Sequence, residues 1–361
     1  MAPKVNKRAK ISAKSKPSVA GPISTGLGLQ VDATFPIKKS KALQLPLELL
    51  LEIVTYFNAF PSEPVGFYDR RYFDREASKY LERTDALRSL SQTCRLWRYI
   101  FLPLLWERLD VLATHSESGA WYQVFGETLI RKCFLVTENR DIASHVRSVS
   151  VVLSRYSAST VLPAFVRGIE ALPNLKTLYI ATAHDKMSTA LKTAFDGHVF
   201  SQIETAMLPT YAHNILRSCP EVKKVVCVDF MDASKLISAN AKCCKKVEEI
   251  EQFAFEGERQ MRRLVKAAPN LRSIKFQRSI DVAILKPLAA LRNLSHITLQ
   301  SSCTTFEDAL NHSSEMACVK AAKDILKQSK FDGPKSLVLE HYSSIYIRTH
   351  DQRMWSERID L

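Results

Sequence analysis

The chain has 361 residues, of which 46% are hydrophobic and 24% charged, an ordinary composition for a folded globular protein. This excludes a fibrous or wholly disordered protein and suffices for one large core or two modest ones. No run approaches the roughly 18–20 apolar residues that a membrane helix requires, and no apolar segment follows the charges of the N-terminus. We therefore expect a soluble, intracellular protein of the nucleus and/or cytoplasm that makes no membrane contact.

The net charge of +14 is unevenly distributed along the chain. Residues 1–44 hold nine basic residues and one acidic residue, a net charge of +8. More than half of the excess therefore lies outside the predicted folded part, which disfavours nucleic acid as a partner. The best remaining basic cluster, at 259–278, is expected to be solvated surface.

The first 40 residues are rich in Lys, Ser, Pro and Gly and show no apolar period. Such a segment cannot bury enough apolar surface to offset the entropy lost on ordering, so we predict a disordered basic tail. The basic cluster at Lys7, Arg8 and Lys10 fits a nuclear import signal and simple solubilisation equally well.

Two helices are predicted after the tail. The first spans Leu45 to Phe57, with Pro46 in its first turn, and it is apolar in nearly every direction, so it must be covered on more than one side. Prolines interrupt the apolar period at 58–83, which predicts an inserted loop with at most one short helix. From Thr84, which together with Asp85 is a candidate cap, apolar residues recur every three or four positions, and this second helix is expected to end at Pro103.

Beyond about residue 140 the chain becomes repetitive. Leu172–Lys176, Cys219–Lys223 and Ala268–Arg272 share one local form, at intervals that correspond to two units of about 24 residues, within the period of leucine-rich repeats. Each unit is expected to supply one strand and one helix to a continuous core. The predicted strands contain Val149, Leu178, Val225, Ile274 and Ile297, with weaker candidates at Ala206, Ile250 and Leu337. The predicted helices lie at 259–268, 281–291 and 315–328. The Asn or Cys ladder of regular repeats is missing, so an irregular solenoid is expected.

Three sub-motifs in the helical region occur in a familiar order. They are Leu45-Pro46-x-Glu48-Leu49-x-x-x-Ile53, then Leu87-x-x-Leu90-x-x-x-Cys94-x-x-Trp97, then Pro103-Leu104-Leu105-Trp106. This arrangement resembles the F-box, and the whole chain resembles the F-box proteins of fungi, especially those of mushrooms. The resemblance implies binding to a Skp-type adaptor, which bridges to a cullin scaffold and a RING subunit. The positions that it assigns to the adaptor-binding helices or to their support are Leu45, Pro46, Leu49, Ile53, Leu87, Leu90, Cys94 and Trp97. The insert at 58–83 departs from the family pattern and could cap the interface, reach toward the target or weaken adaptor binding.

We therefore expect an α/β fold with three parts: a disordered tail at 1–40, a helical F-box at 41–112, and an irregular leucine-rich-repeat solenoid with a parallel sheet and helices at 113–361. The resemblance implies the substrate-recognition subunit of an SCF-type ubiquitin ligase. The alternative is a leucine-rich-repeat interaction scaffold without a ligase role, in which the F-box-like helices only cap the repeats.

The target protein is not identifiable from the residues. Because strand side chains alternate between faces, Tyr179, Lys224, Lys275 and His296 are predicted to lie on the concave surface, where they are candidates for target contact. No catalytic motif appears, and the eight cysteines include no C-x-x-C pair, so we expect no enzymatic activity, cofactor or metal site.

Overall fold

The computed structural model describes Pro46, Glu48, Leu49 and Glu52, followed by residues 70–112, 120–229, 231–342 and 353–361. The predictions for the tail at 1–40 and for Leu45 and Ile53 lie outside the described residues. The chain divides into two compact units, 1–51 and 52–361. The boundary expected between 112 and 113 stays a prediction. In the first unit the N–H of Leu49 donates to the carbonyl of Pro46 at 3.1 Å, which is a first helical turn at the predicted place.

After Glu52, the next described residues of the second unit form two helices, α1 (Arg70–Thr93) and α2 (Arg95–Trp106). The insert predicted at 58–83, a loop with at most one short helix, is wrong from Arg70 onward, because a helix of 24 residues begins there. Its part at 58–69 lies outside the described residues. Thr84 and Asp85 lie inside α1 and do not cap its start. Residues 70–83 lack an apolar period, but they also lack Pro and Gly and are rich in good helix formers. The helix therefore continues where the hydrophobic pattern gives no signal.

Cys94 separates the two helices, which were expected to be one. Its backbone is extended, and its Sγ accepts a hydrogen bond from the backbone N–H of Trp97 at 3.5 Å. Pro103 lies inside α2 and does not end it, contrary to expectation. Proline removes one helical hydrogen bond, and the complete burial of Phe101 holds the helix in place despite that loss.

From the first strand to the ninth, each pair of successive strands is connected through one or two helical segments. The strands are β1 (Arg108–Val111), β2 (Ser148–Leu153), β3 (Thr177–Ala183), β4 (Thr205–Leu208), β5 (Lys224–Cys227), β6 (Glu249–Phe253), β7 (Ser273–Phe276), β8 (His296–Gln300), β9 (Ser336–Tyr342) and β10 (Arg353–Asp360). The helices are α3 (Trp121–Glu138), α4 (Arg140–His145), α5 (Ala158–Glu170), α6 (Ser188–Phe195), α7 (Ser234–Cys243), α8 (Glu258–Ala267), α9 (Val282–Leu285), α10 (Phe306–Asn311) and α11 (Ser313–Gln328). Within the described ranges, 3₁₀ helices occupy Asp185–Met187, Thr210–Ser218 and Lys286–Ala290.

The ten strands form one sheet in which their order is the order of the chain. Neighbours from β1 to β9 pair in parallel, and β10 pairs antiparallel with β9. Parallel neighbours require a crossover, which helices provide in most units. The prediction of an α/β fold with a parallel sheet and solenoid-like order is confirmed. The short β1 and the antiparallel β10 were not predicted.

The core lies between the sheet and the helices. One register row crosses all ten strands and carries apolar side chains throughout. Its members are Leu109, Val149, Leu178, Ala206, Val225, Ile250, Ile274, Ile297, Leu337 and Ile359. All except the partly buried Ile359 belong to one buried cluster, which also contains helix residues such as Phe165, Leu236 and Leu264. The predicted strand positions therefore form the core in register.

Adjacent units are joined by a repeated hydrogen-bond pattern. The residue before one strand offers its carbonyl to two successive N–H groups of the next unit, as Arg147 does to Lys176 and Thr177 at 2.8 and 3.1 Å. The recurring Pro-Asn motif adds a side-chain link, because Asn174 Nδ2 donates to the Ser144 carbonyl at 2.8 Å. Asn270 makes the equivalent bond to Lys245. The repeated form seen in the sequence therefore joins each unit to the one before it.

Candidate functional site

The predicted adaptor-binding residues of the second unit lie on α1, on α2 and at the junction between them. Leu87 is fully buried, so it supports the helix pair from within. Leu90, Cys94 and Trp97 are half-buried. In the first unit, Pro46 and Leu49 are exposed.

An exposed apolar surface lies on α2. Leu96 is 53% exposed and Tyr99 is 82% exposed, whereas the neighbouring Phe101 is the one fully buried residue of this helix. Trp97 packs edge-on against Phe101 with ring centroids 5.7 Å apart. Leu96 and Tyr99 were not predicted as contact residues from the sequence. The sequence did contain an indication of this surface, because both residues are large and apolar yet fall outside the helical stripe that includes Trp97 and Phe101.

Buried charges connect α1 to the first strand. Arg83 on α1 is only 6% exposed, and burial lowers the pKa of its guanidinium, as does the nearby Arg108. Lys132 on α3 donates to the backbone carbonyl of Asp110 at 2.6 Å, and burial lowers its pKa. Arg108 and Asp110 form an ion pair on β1 at 3.3 Å. The helix pair and the sheet therefore share a charged junction.

We call the side of the sheet opposite the helices the polar face. It is defined by two register rows. One row is Arg108, Ser148, Thr177, Thr205, Lys224, Glu249, Ser273, His296, Ser336 and Asp360. The other row is Asp110, Ser150, Tyr179, Met207, Val226, Glu251, Lys275, Thr298, Val338 and Arg358. All four residues predicted to contact a target lie in these rows.

Tyr179 does not have the exposure expected of a contact residue. It is 2% exposed and belongs to the buried cluster, so its burial does not support the surface role predicted for it. The prediction rested on strand alternation, which decides the face of a side chain and not whether that side chain is accessible.

The other three predicted contact residues are engaged within the chain. Lys224 Nζ lies 2.6 Å from Glu251 and 3.5 Å from Glu249. Burial opposes the charged form of Lys224, but the hydrogen bond to Glu251 and the two carboxylates outweigh it and raise the lysine pKa. Lys275 pairs with Glu340 at 2.8 Å. A partner on these strands must therefore displace or extend existing ion pairs.

His296 is held through both ring nitrogens. Its Nδ1 lies 2.7 Å from Ser336 Oγ and its Nε2 lies 3.0 Å from Thr298 Oγ1. Burial lowers the pKa of this imidazole, and Arg358 lowers it further. The neutral form is therefore favoured on the polar face.

Two carboxylates accept hydrogen bonds from the turns that follow β4 and β8. Asp229, after β5, accepts from the N–H and hydroxyl of Thr210 at 2.7 and 2.8 Å. Glu315, on α11, accepts from the hydroxyl of Ser301 and from the N–H and hydroxyl of Ser302 at 2.5, 2.8 and 2.6 Å. Each carboxylate therefore fixes one turn through a residue that is distant in sequence.

A cavity of about 320 Å³ opens beside the Glu315 turn. Phe255, Leu299 and Leu339 supply apolar walls, and Arg278 and Asp281 supply charge of both signs. Across the described ranges, no three His, Cys, Asp or Glu side chains are grouped so that they could hold a metal ion. The same ranges contain no helix with the length and apolar character that a bilayer crossing demands.

Comparison with known proteins does not assign the chain to a family. No family model matches it, and no curated protein matches its sequence at a significant level.

Proposed function

We propose that the chain is the substrate-recognition subunit of an SCF-type ubiquitin ligase. In this proposal the α1–α2 pair is part of an F-box that binds a Skp-type adaptor, and the sheet is an irregular leucine-rich-repeat surface that binds a target protein. The observation that carries the proposal is the apolar surface of α2, where Leu96 and Tyr99 stay exposed beside the half-buried Trp97.

An exposed apolar helix face favours association. Covering a large apolar side chain contributes about 1.5–3 kcal/mol, and aromatic residues are enriched among the residues that dominate binding energies. Leu96 and Tyr99 lie three positions apart, so they occupy neighbouring positions on one side of α2. A helical partner that buries both residues would gain affinity without any rearrangement of the buried Phe101.

Target binding is assigned to the polar face because nine consecutive parallel strands present their side chains there in register. The charged side chains of the polar face are already in ion pairs within the chain. A target segment is therefore selected by whether its own charges complement Lys224, Glu251 and Lys275. In such an assembly the receptor supplies proximity, and the bond-forming chemistry belongs to another subunit.

The test is co-purification of the full chain with a Skp-type adaptor. A Leu96→Asp/Tyr99→Asp variant is expected to reduce adaptor binding by at least about tenfold, because two charges enter an apolar interface. The matched control is Phe134→Asp, which changes a 67% exposed aromatic residue on α3. If the wild-type chain does not bind the adaptor, or if the control loses as much binding as the double variant, the proposal fails.

A second candidate is a repeat scaffold without a ligase role, in which α1 and α2 only cap the first strand. The buried Arg83 at the charged junction with β1 favours it, since a capping element is expected to be tied to the end of the sheet. On this view the Leu96→Asp/Tyr99→Asp variant changes neither folding nor any measured association. Loss of adaptor binding in that variant, with an unchanged unfolding midpoint, would exclude the cap-only role.

A further inference from the structure

The cavity of about 320 Å³ beside the Glu315 turn lies where the chain leaves the carboxyl ends of three neighbouring strands. Of its lining, residues 255–256 follow β6, residues 278–281 follow β7, and residues 300 and 302 lie at the end of β8. Side chains of α9 and α11 complete it. The carboxyl edge of a parallel sheet is a common place for ligand sites, and this volume falls at the lower end of the range for small-ligand pockets.

Part of the cavity wall is apolar. Ile284, Leu299 and Leu339 are buried side chains of the lining. Phe255 is partly buried, and its ring packs edge-on against Phe276 with the centroids 5.7 Å apart, which holds it at the wall. Walls of this kind fit an aliphatic chain, and an aromatic ring can also receive a cation on its face.

The charged part of the lining is mainly acidic. Among the residues that the structure describes, none of Glu256, Asp281 and Glu315 forms an ion pair, and the hydrogen bonds to Glu315 come from neutral donors. Arg278 is the one basic side chain in the described lining, and it is engaged in another interaction within the chain. Three acids against one base give this lining a net charge of −2, whereas the whole chain carries +14.

The groups beside the carboxylates also suit a ligand that donates hydrogen bonds. Gln300 donates through Nε2 to the Glu340 carbonyl at 3.1 Å, which leaves its Oε1 as an acceptor. The thiol of Cys318 donates to the Ile280 carbonyl at 3.1 Å. Burial raises the pKa of this thiol, and Asp281 and Glu315 raise it further, consistent with a negative potential at the cavity.

We infer that this cavity binds the side chain of an arginine from a partner protein. Arginine brings an aliphatic stem for the apolar wall and a planar guanidinium with five N–H donors and no acceptor, which complements carboxylates and an amide oxygen. Lysine is less well matched, because its ammonium group is compact, strongly hydrated and limited to three donors. The net charge of the whole chain repels cations, so the attraction is local to the cavity. The inference does not depend on the proposed ligase role.

The test measures the binding of N-acetylarginine methylamide to the full chain by saturation-transfer-difference NMR. The matched probes are the citrulline derivative, which has nearly the same shape without the charge, and the lysine derivative. We expect the Kd of the arginine probe to be at least about tenfold lower than that of the citrulline probe, and lower than that of the lysine probe. The inference is overturned if the arginine probe does not bind, or if either of the other probes binds as tightly.

A Glu256→Gln/Asp281→Asn variant removes two charges of the cavity from exposed residues with little change in shape. It is expected to lose the preference for arginine over citrulline while its unfolding midpoint stays at the wild-type value. The matched control is Glu138→Gln/Asp141→Asn, which removes the same charge from exposed residues on α3 and α4 and should keep the preference. Retention of the preference in the cavity variant, or its loss in the control, would overturn the inference.

Discussion

Lys275 on β7 reaches past β8 to Glu340 on β9, and its Nζ lies 2.8 Å from the carboxylate. The glutamate side chain is only 3% exposed and the lysine side chain 20%. An ion pair this far from water differs from a surface pair, because loss of one partner leaves the other charge poorly solvated. The pair links the two strands on either side of β8.

Replacing Glu340 with Gln is therefore expected to lower the free energy of unfolding by about 2 kcal/mol, measured by urea denaturation. The matched control is Glu204→Gln, which breaks the exposed ion pairs with Lys176 and Lys223. That change should cost less than about 1 kcal/mol. Equal losses in the two variants would show that burial of the Lys275 pair has no special effect.

Glu315 should make stability depend on acid pH. Burial raises its pKa, but the hydrogen bonds from Ser301 and Ser302 outweigh burial and hold the pKa below its ordinary value. The unfolded state then binds more protons, so this contribution is present above the ordinary pKa of about 4.3 and is lost as pH falls through the lower folded value. A Glu315→Gln variant should show a shallower fall in unfolding free energy below that pH. An exposed carboxylate change, Glu307→Gln, should leave the slope unchanged.

Gly168 on α5 marks a close helix contact that tolerates no side chain. A Cβ at this position would lie 2.7 Å from Sγ and 2.9 Å from Cβ of Cys133 on α3. Gly168→Ala is expected to lower the free energy of unfolding by about 1–3 kcal/mol through overpacking. Gly257→Ala meets no atom within 4 Å and should change stability by less than about 1 kcal/mol. If both variants unfold at the wild-type midpoint, the contact between α3 and α5 is looser than described.

Cys243 and Cys244 are adjacent but should differ in reactivity. Cys244 is fully buried, and burial raises the pKa of its thiol to about 12, whereas Cys243 is partly exposed. Because the thiolate is the reactive form, alkylation of the native protein near pH 8 should label Cys243 well before Cys244. Peptide mass spectrometry can distinguish the two sites, and both should react in denaturant. Simultaneous labelling in the native state would contradict the described packing of α7.

The strand positions could be predicted because their signal is local and repeated. Leu178, Val225 and Ile274 recur in one local form, and all three lie in the same buried row across the sheet. The start of α1 could not be predicted in the same way. Its first residues show no apolar period, which is the main sequence signal for a helix.

The candidate contact residues show a different limit. Alternation placed Tyr179, Lys224 and Lys275 on the polar face, and this placement agrees with the register. Their availability was not predictable, because Tyr179 is buried and each lysine is paired with a carboxylate on another strand. The partner of Lys275 is 65 residues away in the chain, beyond the reach of any local pattern.

The amino-acid sequence by itself determined the class of fold and the order of the repeats, because alternation and a repeat period are written in neighbouring residues. Only the tertiary structure decided which charges are neutralised and which remain available. Lys224 forms an ion pair with Glu251 on the adjacent strand, whereas Arg217 and Lys242 form no ion pair within the described residues. The physical reason is that an ion pair forms only between groups brought within a few ångströms, and for residues distant in sequence the fold sets that distance.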